Sequence, residues 1–419
     1  MTHLDRRGFL LQTGGSIAGL ALVPELATTG PRRLPEPKAI GVVGIGRHGR
    51  AILADLAKID GAKVVAVCDT NAARVATGQE RAVGAETFAD HRAMLDKRRD
   101  LDAVIVATPT HLHRAIVEDA LAANKHVYCE APLAHTVDDA RAIAAAAEAA
   151  PGRVFMAGFQ GRSNPIYQLA RTFYRTDAFR DFIGGSAHFH RKTTWRFPTD
   201  NWRLDPEVSV GLIGEIGAQQ LDVFHWFRNQ TPIAVAGTGS IALHKDGRTV
   251  PDTVHAQLQF ADGSVVSYEA SLANSFGSQH EVLRGTNGSF SLSWTHGWMF
   301  KEVDATTLGW EGYALRQQFH HDEGIILIAN ATKLAAQGQL KAGIGLPYSP
   351  LYYALADFLR SVSFPNVPVA CNAKEGLKAT IVGIKANQAV VGRATVSIEL
   401  SAGVEHPPRS SEPAYGLPK

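Results

Sequence analysis

Glu130 follows a short apolar run, "NKHVY", and lies in "CEAPLAH" (residues 129–135), where a carboxylate precedes the turn-forming Pro132. A strand end carrying an acid and a turn is a common seat of enzyme chemistry, yet Ala131 between them cannot move a proton. His113, in "THLHR", is a second titratable group at an expected strand end. Further on, "NWRLDPEVSVGLIGEIGAQQLDVFHWFRN" holds Glu215, Gln219 and Asp222, whose spacings put them on one helix face. The segment "SAHFHRKTTWRF" alternates, so His188, His190 and Lys192 share one face of a strand. If that face lines a cleft, His190 or Lys192 would carry proton transfer.

Such groups need a scaffold, and from residue 39 the chain alternates strands and helices. "KAIGVVGIGRHGRAILADLAKI" reads as strand, Gly-rich turn and helix, with Gly44, Gly46 and Gly49 spelling GxGxxG. The first glycine permits the tight turn, the second lets a pyrophosphate approach the backbone, and the third lets helix and strand pack closely. Phosphates would sit on the helix N-terminus, whose free N–H groups favour anions. Arg47 and His48, inside the motif, are expected cofactor contacts. Asp69 closes the next strand, where a carboxylate accepts from an adenosine ribose and repels a 2′-phosphate. NAD(H) is therefore expected rather than NADP(H). Continued alternation predicts an α/β, doubly wound parallel sheet with ligands at the strand C-termini. Thr108, Pro109, His113 and Glu130 would border the nicotinamide side.

At 419 residues two domains are the default. A net charge of +2, with 20% charged and 45% hydrophobic residues, gives no basic surface for nucleic acid. Cys68, Cys129 and Cys371 lack metal or redox spacing and are expected to be buried. The two histidines of "HHDEGIILIANATKLAAQ" are adjacent rather than spaced for one ion, so this stretch reads as a solvated helix start and no metal is expected. At the N-terminus, Arg6 and Arg7, then Phe9 and a Gly-interrupted apolar run, read as a twin-arginine export signal too short to span a membrane. The expected organisation is 1–38 signal and linker, 39–152 Rossmann domain, 153–345 α+β domain, and 346–419 C-terminal helices that pack back, with a tail.

The order GxGxxG, Asp69, "TPTHLH" and "KHVYCEAPLA" resembles the glucose-fructose oxidoreductase, inositol dehydrogenase and MocA family over about residues 39 to 400. The resemblance implies a Rossmann domain followed by a domain with a large, open, mostly antiparallel sheet. It also implies oxidation or reduction of sugar and cyclitol hydroxyls with NAD(P). Two departures stand out. The family's Glu-Lys-Pro is matched by Glu130, Ala131 and Pro132, so the proton-moving lysine is absent. Its Asp-x-Gly-x-His-x-x-Asp helix is matched by Glu215, Gly217, Gln219 and Asp222, so an amide replaces the imidazole and cannot act as a base.

Three functions follow as expectations. One is an exported, periplasmic NAD(H)-dependent oxidoreductase of a sugar, cyclitol or glycoside, with Glu130, His190, Lys192, Gln219 and Asp222 as candidate catalytic groups. Gln160, Arg162, Trp202, Arg203, Glu215 and Gln219 would contact substrate. Another is a glycoside-cleaving enzyme that uses tightly bound NAD cyclically, through oxidation, elimination and return of the hydride. The third is a non-catalytic sugar-binding relative, against which the retained dinucleotide motif argues. Hairpins at Asp262-Gly263 and Asn287-Gly288 extend the second sheet, and the resemblance implies a homodimer or homotetramer through its open face.

Overall fold

The computed structural model describes residues 33–192, 195–196, 201–307, 311, 314–319 and 322–400, so the twin-arginine stretch lies outside the described residues. The first half runs β1 (Arg33–Val43), α1 (Arg47–Leu56), β2 (Asp60–Cys68), α2 (Ala72–Arg81), β3 (Glu86–Phe88), α3 (His91–Lys97), β4 (Ala103–Val106), α4 (His113–Ala122), β5 (His126–Glu130), α5 (Val137–Glu148) and β6 (Phe155–Gly158). These strands form a parallel sheet in the order β3-β2-β1-β4-β5-β6. The order reverses between β1 and β4, which opens a crevice beyond their C-terminal ends. β1 begins inside the segment expected to be a linker. Its pairing with β2 jumps from Arg33 opposite Asp60 to Lys38 opposite Ala62, because Pro35 and Pro37 have no N–H to give a ladder.

The second half runs α6 (Pro165–Tyr174), β7 (Phe182–His190), α7 (Ala218–Arg228), β8 (Ala234–Ser240), β9 (Thr253–Gln259), β10 (Val265–Ser271), β11 (Gln279–Gly285), β12 (Gly288–Ser293), β13 (His296–Lys301), β14 (Arg316–Phe319), β15 (Asp322–Ile326), α8 (Ala331–Ala336), α9 (Pro350–Ser363), α10 (Ala373–Gly392) and β16 (Thr395–Ser397). Its ten strands lie in the order β14-β15-β13-β12-β11-β7-β10-β9-β8-β16, antiparallel except where β7 pairs with β10. Asn164 caps α6, its Oδ1 accepting from Ile166 N (2.9 Å) and Tyr167 N (3.3 Å). Gly263 takes φ +83° in the β9–β10 hairpin. The two histidines of the stretch expected to start a helix lie outside the described residues, and after them Asp322–Ile326 is instead β15, paired with β13. Its isoleucines suit a pleated surface, and α8 begins only at Ala331.

One face of the large sheet packs on α6, α7 and α10, burying Phe224, Phe227, Tyr268, Phe290 and Ile381 in one core. Helix α9 returns to the first domain, where Leu351, Tyr352, Leu355 and Phe358 join Ile52, Leu56 and Tyr128. Ser349 fixes its start by accepting from Tyr352 N at 3.0 Å and donating to Asp55 of α1 at 2.5 Å. All three cysteines are buried and free.

Glu281 is buried beneath the large sheet, 1% exposed. Tyr167 Oη donates to its Oε2 and Gln220 Nε2 to its Oε1 at 2.7 Å. Burial pushes its pKa up to about 7, against the pull of these donors. An acid whose folded pKa is raised stabilises the fold below its unfolded pKa of 4.5 and loses that stability as pH rises toward 7. Glu281→Gln should therefore gain on the wild type by up to ~3 kcal/mol as pH is raised through this window. Urea unfolding at stepped pH checks this, and a pH-independent difference would refute it.

Candidate functional site

A cleft of about 1290 Å³ lies between the C-terminal edge of the parallel sheet and the second domain. Its floor is the Gly-rich turn. Gly44 takes φ +95°, and a Cβ there would meet the Ala107 and Thr108 backbone at 2.6 Å. A Cβ on Gly49 would fall 1.9 Å from the Gly44 oxygen, so only hydrogen fits where α1 crosses the turn. Gly46 lines the cleft, and a Cβ there would meet nothing within 4 Å. This is the gap a pyrophosphate needs. Asp69 holds the turn from β2, accepting from Ile45 N at 2.7 Å and Asn71 N at 2.9 Å. Each carboxylate oxygen keeps a second lone pair for a ribose hydroxyl.

Arg47, His48, Thr108, Pro109, His113 and Glu130 all line this cleft. His48 Nε2 lies 2.9 Å from Glu130 Oε1. Burial disfavours the imidazolium, but the charge and hydrogen bond of Glu130, helped by Asp55, together outweigh it and raise the His48 pKa. A proton-carrying group from the Gly-rich turn thus stands beside the acid whose neighbour, Ala131, cannot carry one. His113 is pinned rather than free: Nδ1 lies 3.2 Å from Leu133 O and Nε2 3.0 Å from Thr108 O. Burial keeps its pKa below the ordinary value, and the ring ties the "TPT" loop to the turn after β5. Thr108 Oγ1 is buried without a hydrogen-bond partner among the described residues. The open space at Gly46 and this unpaired hydroxyl fit a dinucleotide.

The opposite wall comes from the second domain. Residues Ile213–Gly217 form a widened π-helical turn directly before α7, a distortion frequent at functional sites. It carries Glu215, whose Oε2 accepts from Thr110 Oγ1 at 2.8 Å and whose Oε1 accepts from Val210 N at 3.1 Å. Burial pushes its pKa up to about 7, although Arg203 and Thr110 pull the other way. Glu215 is thus a buried carboxyl that titrates near neutrality. Trp202, Arg203 and Gln160 line the same space. Gln219 also lines it, but its amide is spent on backbone, donating to Gly158 O at 2.7 Å and accepting from Gln160 N at 3.0 Å.

Four expected site residues fall elsewhere. His190 and Lys192 do not line the cleft; Phe189 and Arg191 do. The alternation holds, but Ala187 and Phe189 turn to the core and His190 to the outer face, where it contacts Phe276 O and Glu269. Asp222 and Arg162 form a buried two-pronged ion pair (2.8 and 2.7 Å) outside the cleft, with Glu375 3.4 Å from Arg162. Asp222 lies two turns beyond Glu215, past the π-helical turn, and meets Arg162 instead of the cleft. Among residues unnamed from sequence, Thr110 is legible in "TPTHLH". Trp195 and Trp294, which also line the cleft, sit in loops with no motif.

A Rossmann half joined to an open-sheet half, with a Gly-rich cradle and a titratable wall, defines a two-domain dinucleotide-dependent oxidoreductase. Residues 38–159 match the oxidoreductase family of the NAD-binding Rossmann fold and residues 171–291 its C-terminal domain, together more than half of the chain. The chain belongs to the Gfo/Idh/MocA oxidoreductase family, and its Rossmann domain binds NAD. It is similar to a glycosyl hydrolase family 109 protein of Shewanella amazonensis, 23% identical over 70% of this chain and 74% of that one. It is 29% identical to the 1,5-anhydro-D-fructose reductase of Ensifer adhaerens over 59% of this chain and 74% of that one. Its fold is that of levoglucosan dehydrogenase in complex with NADH and levoglucosan, with a TM-score of 0.70, 20% identity, and 87% and 100% of the two chains covered.

Two outcomes follow. Gly46→Ala should leave the melting temperature near the wild-type value while weakening NAD(H) at least ~10-fold in a fluorescence titration, since the methyl group enters the cradle. An unchanged affinity would place the cofactor elsewhere. Arg162→Ala strands the Asp222 charge and should cost about 3–5 kcal/mol in urea unfolding. A variant of full stability would return Arg162 to the list of substrate ligands.

Proposed function

We propose that the protein oxidises or reduces a hydroxyl of a sugar or glycoside with NAD(H), and that Glu215 handles the hydroxyl proton. The observation that carries this reading is a carboxyl buried in the cleft beside the dinucleotide site with a pKa of about 7. Thr110 and the Val210 amide hold its two oxygens, so its orientation is set before substrate arrives. Deprotonated above about pH 7, it accepts the proton of a substrate hydroxyl; protonated below, it returns one. Trp202 and Trp294 offer apolar faces on which a sugar ring can stack. Glu130 and His48 keep a second proton within reach of the same space. NAD(H), when bound, supplies the acceptance or donation of hydride.

Similarity to the anhydrofructose reductase and to levoglucosan dehydrogenase supports a sugar substrate. The relative from Shewanella amazonensis favours a second reading, cleavage of a glycoside with no net change in cofactor. Export through the twin-arginine route to the periplasm rests on Arg6, Arg7 and the apolar run after them. Assembly as a homodimer or homotetramer is supported by the breadth of the ten-stranded sheet, one face of which lies away from the helices.

Incubation with NAD and a panel of sugars and glycosides, followed both by nicotinamide absorbance and by release of the aglycone, tests both readings together. Growing absorbance supports net oxidation, cleavage with a flat trace supports the second reading, and neither signal sinks both. For oxidation, kcat/KM should climb with pH and level off above about 7. Glu215→Gln should lower it at least ~100-fold and abolish that climb; a variant keeping the wild-type pH profile excludes Glu215 as the base.

A further inference from the structure

The three arginines buried in the described structure each hold a carboxylate: Arg162 with Asp222, Arg228 with Asp262 and Arg248 with Asp246. This is the usual requirement for a guanidinium taken out of water. One arginine of the cleft, Arg203, departs from this pattern, and a second, Arg191, lies exposed in the same cleft lining. The half-buried Arg203 stacks on Trp202, with 4.4 Å from its guanidinium carbon to the ring centre, and stands 5.9 Å from the ring of Trp195. The exposed Arg191 lines the cleft beside Phe189, 5.4 Å from its ring. Neither forms an ion pair with a carboxylate among the described residues. Stacking occupies the flat faces of a guanidinium and leaves its N–H edge open, the edge that recognises a two-oxygen anion.

Glu215 is the one acid among the described cleft residues of the second domain, and its Coulombic coupling to Arg203 includes no ion pair. With its pKa at about 7 it is only partly charged at neutrality, so it does not cancel two permanent cations. Cofactor phosphates would find their own partners in the Gly46 cradle, the α1 N-terminus and Arg47.

We propose that the substrate is an anionic sugar, bearing a carboxylate or a phosphate, whose charge is held by Arg203 and Arg191. This rests on the reading of the cleft as a sugar site and narrows it. A hydrogen bond to a charged group contributes roughly 1.5–3 kcal/mol against 0.5–1.5 for a neutral one, so the charge selects strongly among ring sugars.

Calorimetric titration of the NAD-loaded protein with D-glucose, D-glucuronate and D-glucose 6-phosphate tests the idea. At least one anion should bind at least ~10-fold tighter than glucose, and whichever of the two does so identifies the group. Arg203→Gln and Arg191→Gln should each erode that preference, Arg203→Lys should retain part of it, and NAD(H) affinity should stay within about threefold. Equal binding of all three sugars overturns the proposal. So does an Arg203→Gln variant that loses NAD(H) while keeping the wild-type ratio among sugars, because Arg203 would then serve the cofactor. Selective anion binding with neither redox turnover nor glycoside cleavage would leave the anion site standing and remove the enzymatic reading. Turnover of neutral sugars without anion preference would do the reverse.

Discussion

Everything in the cleft depends on one buried carboxyl at the seam between the two domains. Glu215 reaches from the second domain to the Thr110 hydroxyl of the first, and this bond fixes how the wall of one half faces the floor of the other. Gln219, one helical turn on, repeats the connection through Gly158 and Gln160. A carboxyl in this position experiences two opposing effects. Removal from water favours the neutral acid, while the Thr110 hydroxyl, the Val210 amide and the Arg203 charge favour the anion. The balance near neutrality lets one side chain serve both as a joint and as a proton carrier.

The resemblance sets Ala131 and Gln219 against a lysine and a histidine, and the structure gives both positions other surroundings. At Ala131 the side chain is too short to carry a proton, and His48 approaches Glu130 from the neighbouring turn. At Gln219 the amide both donates and accepts, which an imidazole in one tautomer does less evenly, and it is used on backbone. Under the proposed function, proton chemistry falls to Glu215, one helical turn before Gln219, whose amide braces the backbone. The chain keeps the family's fold and NAD-binding domain, and what it does with them is set by the site they carry.

Much of the first domain was legible in the sequence because its signals are local. Glycine spacing, strand length and the acid at the end of β2 lie within a few residues of what they determine. The second domain was legible in its hairpins and in the Asn164 cap for the same reason. Alternation showed that His188 and His190 share a face but not which face met the core, since Phe189 and Ala187 decide that by burial against helices far along the chain. Asp222 could not be separated from Glu215 by periodicity, because its partner Arg162 is 60 residues away. The pKa of Glu215 was invisible for a related reason: burial is a property of the assembled seam.

Helix α9 carries a consequence for how the protein is made. Leu351, Tyr352, Leu355 and Phe358 are not an appendage of the nucleotide-binding half; they complete the same core as Ile52 and Tyr128, which were synthesised roughly two to three hundred residues earlier. During vectorial synthesis the Gly-rich turn can form early, but the layer behind it stays open until Ser363 has left the ribosome. Nucleotide capture at full affinity is thereby tied to synthesis of α9, and a truncated product lacking this helix would present an exposed apolar groove to the cell's quality control.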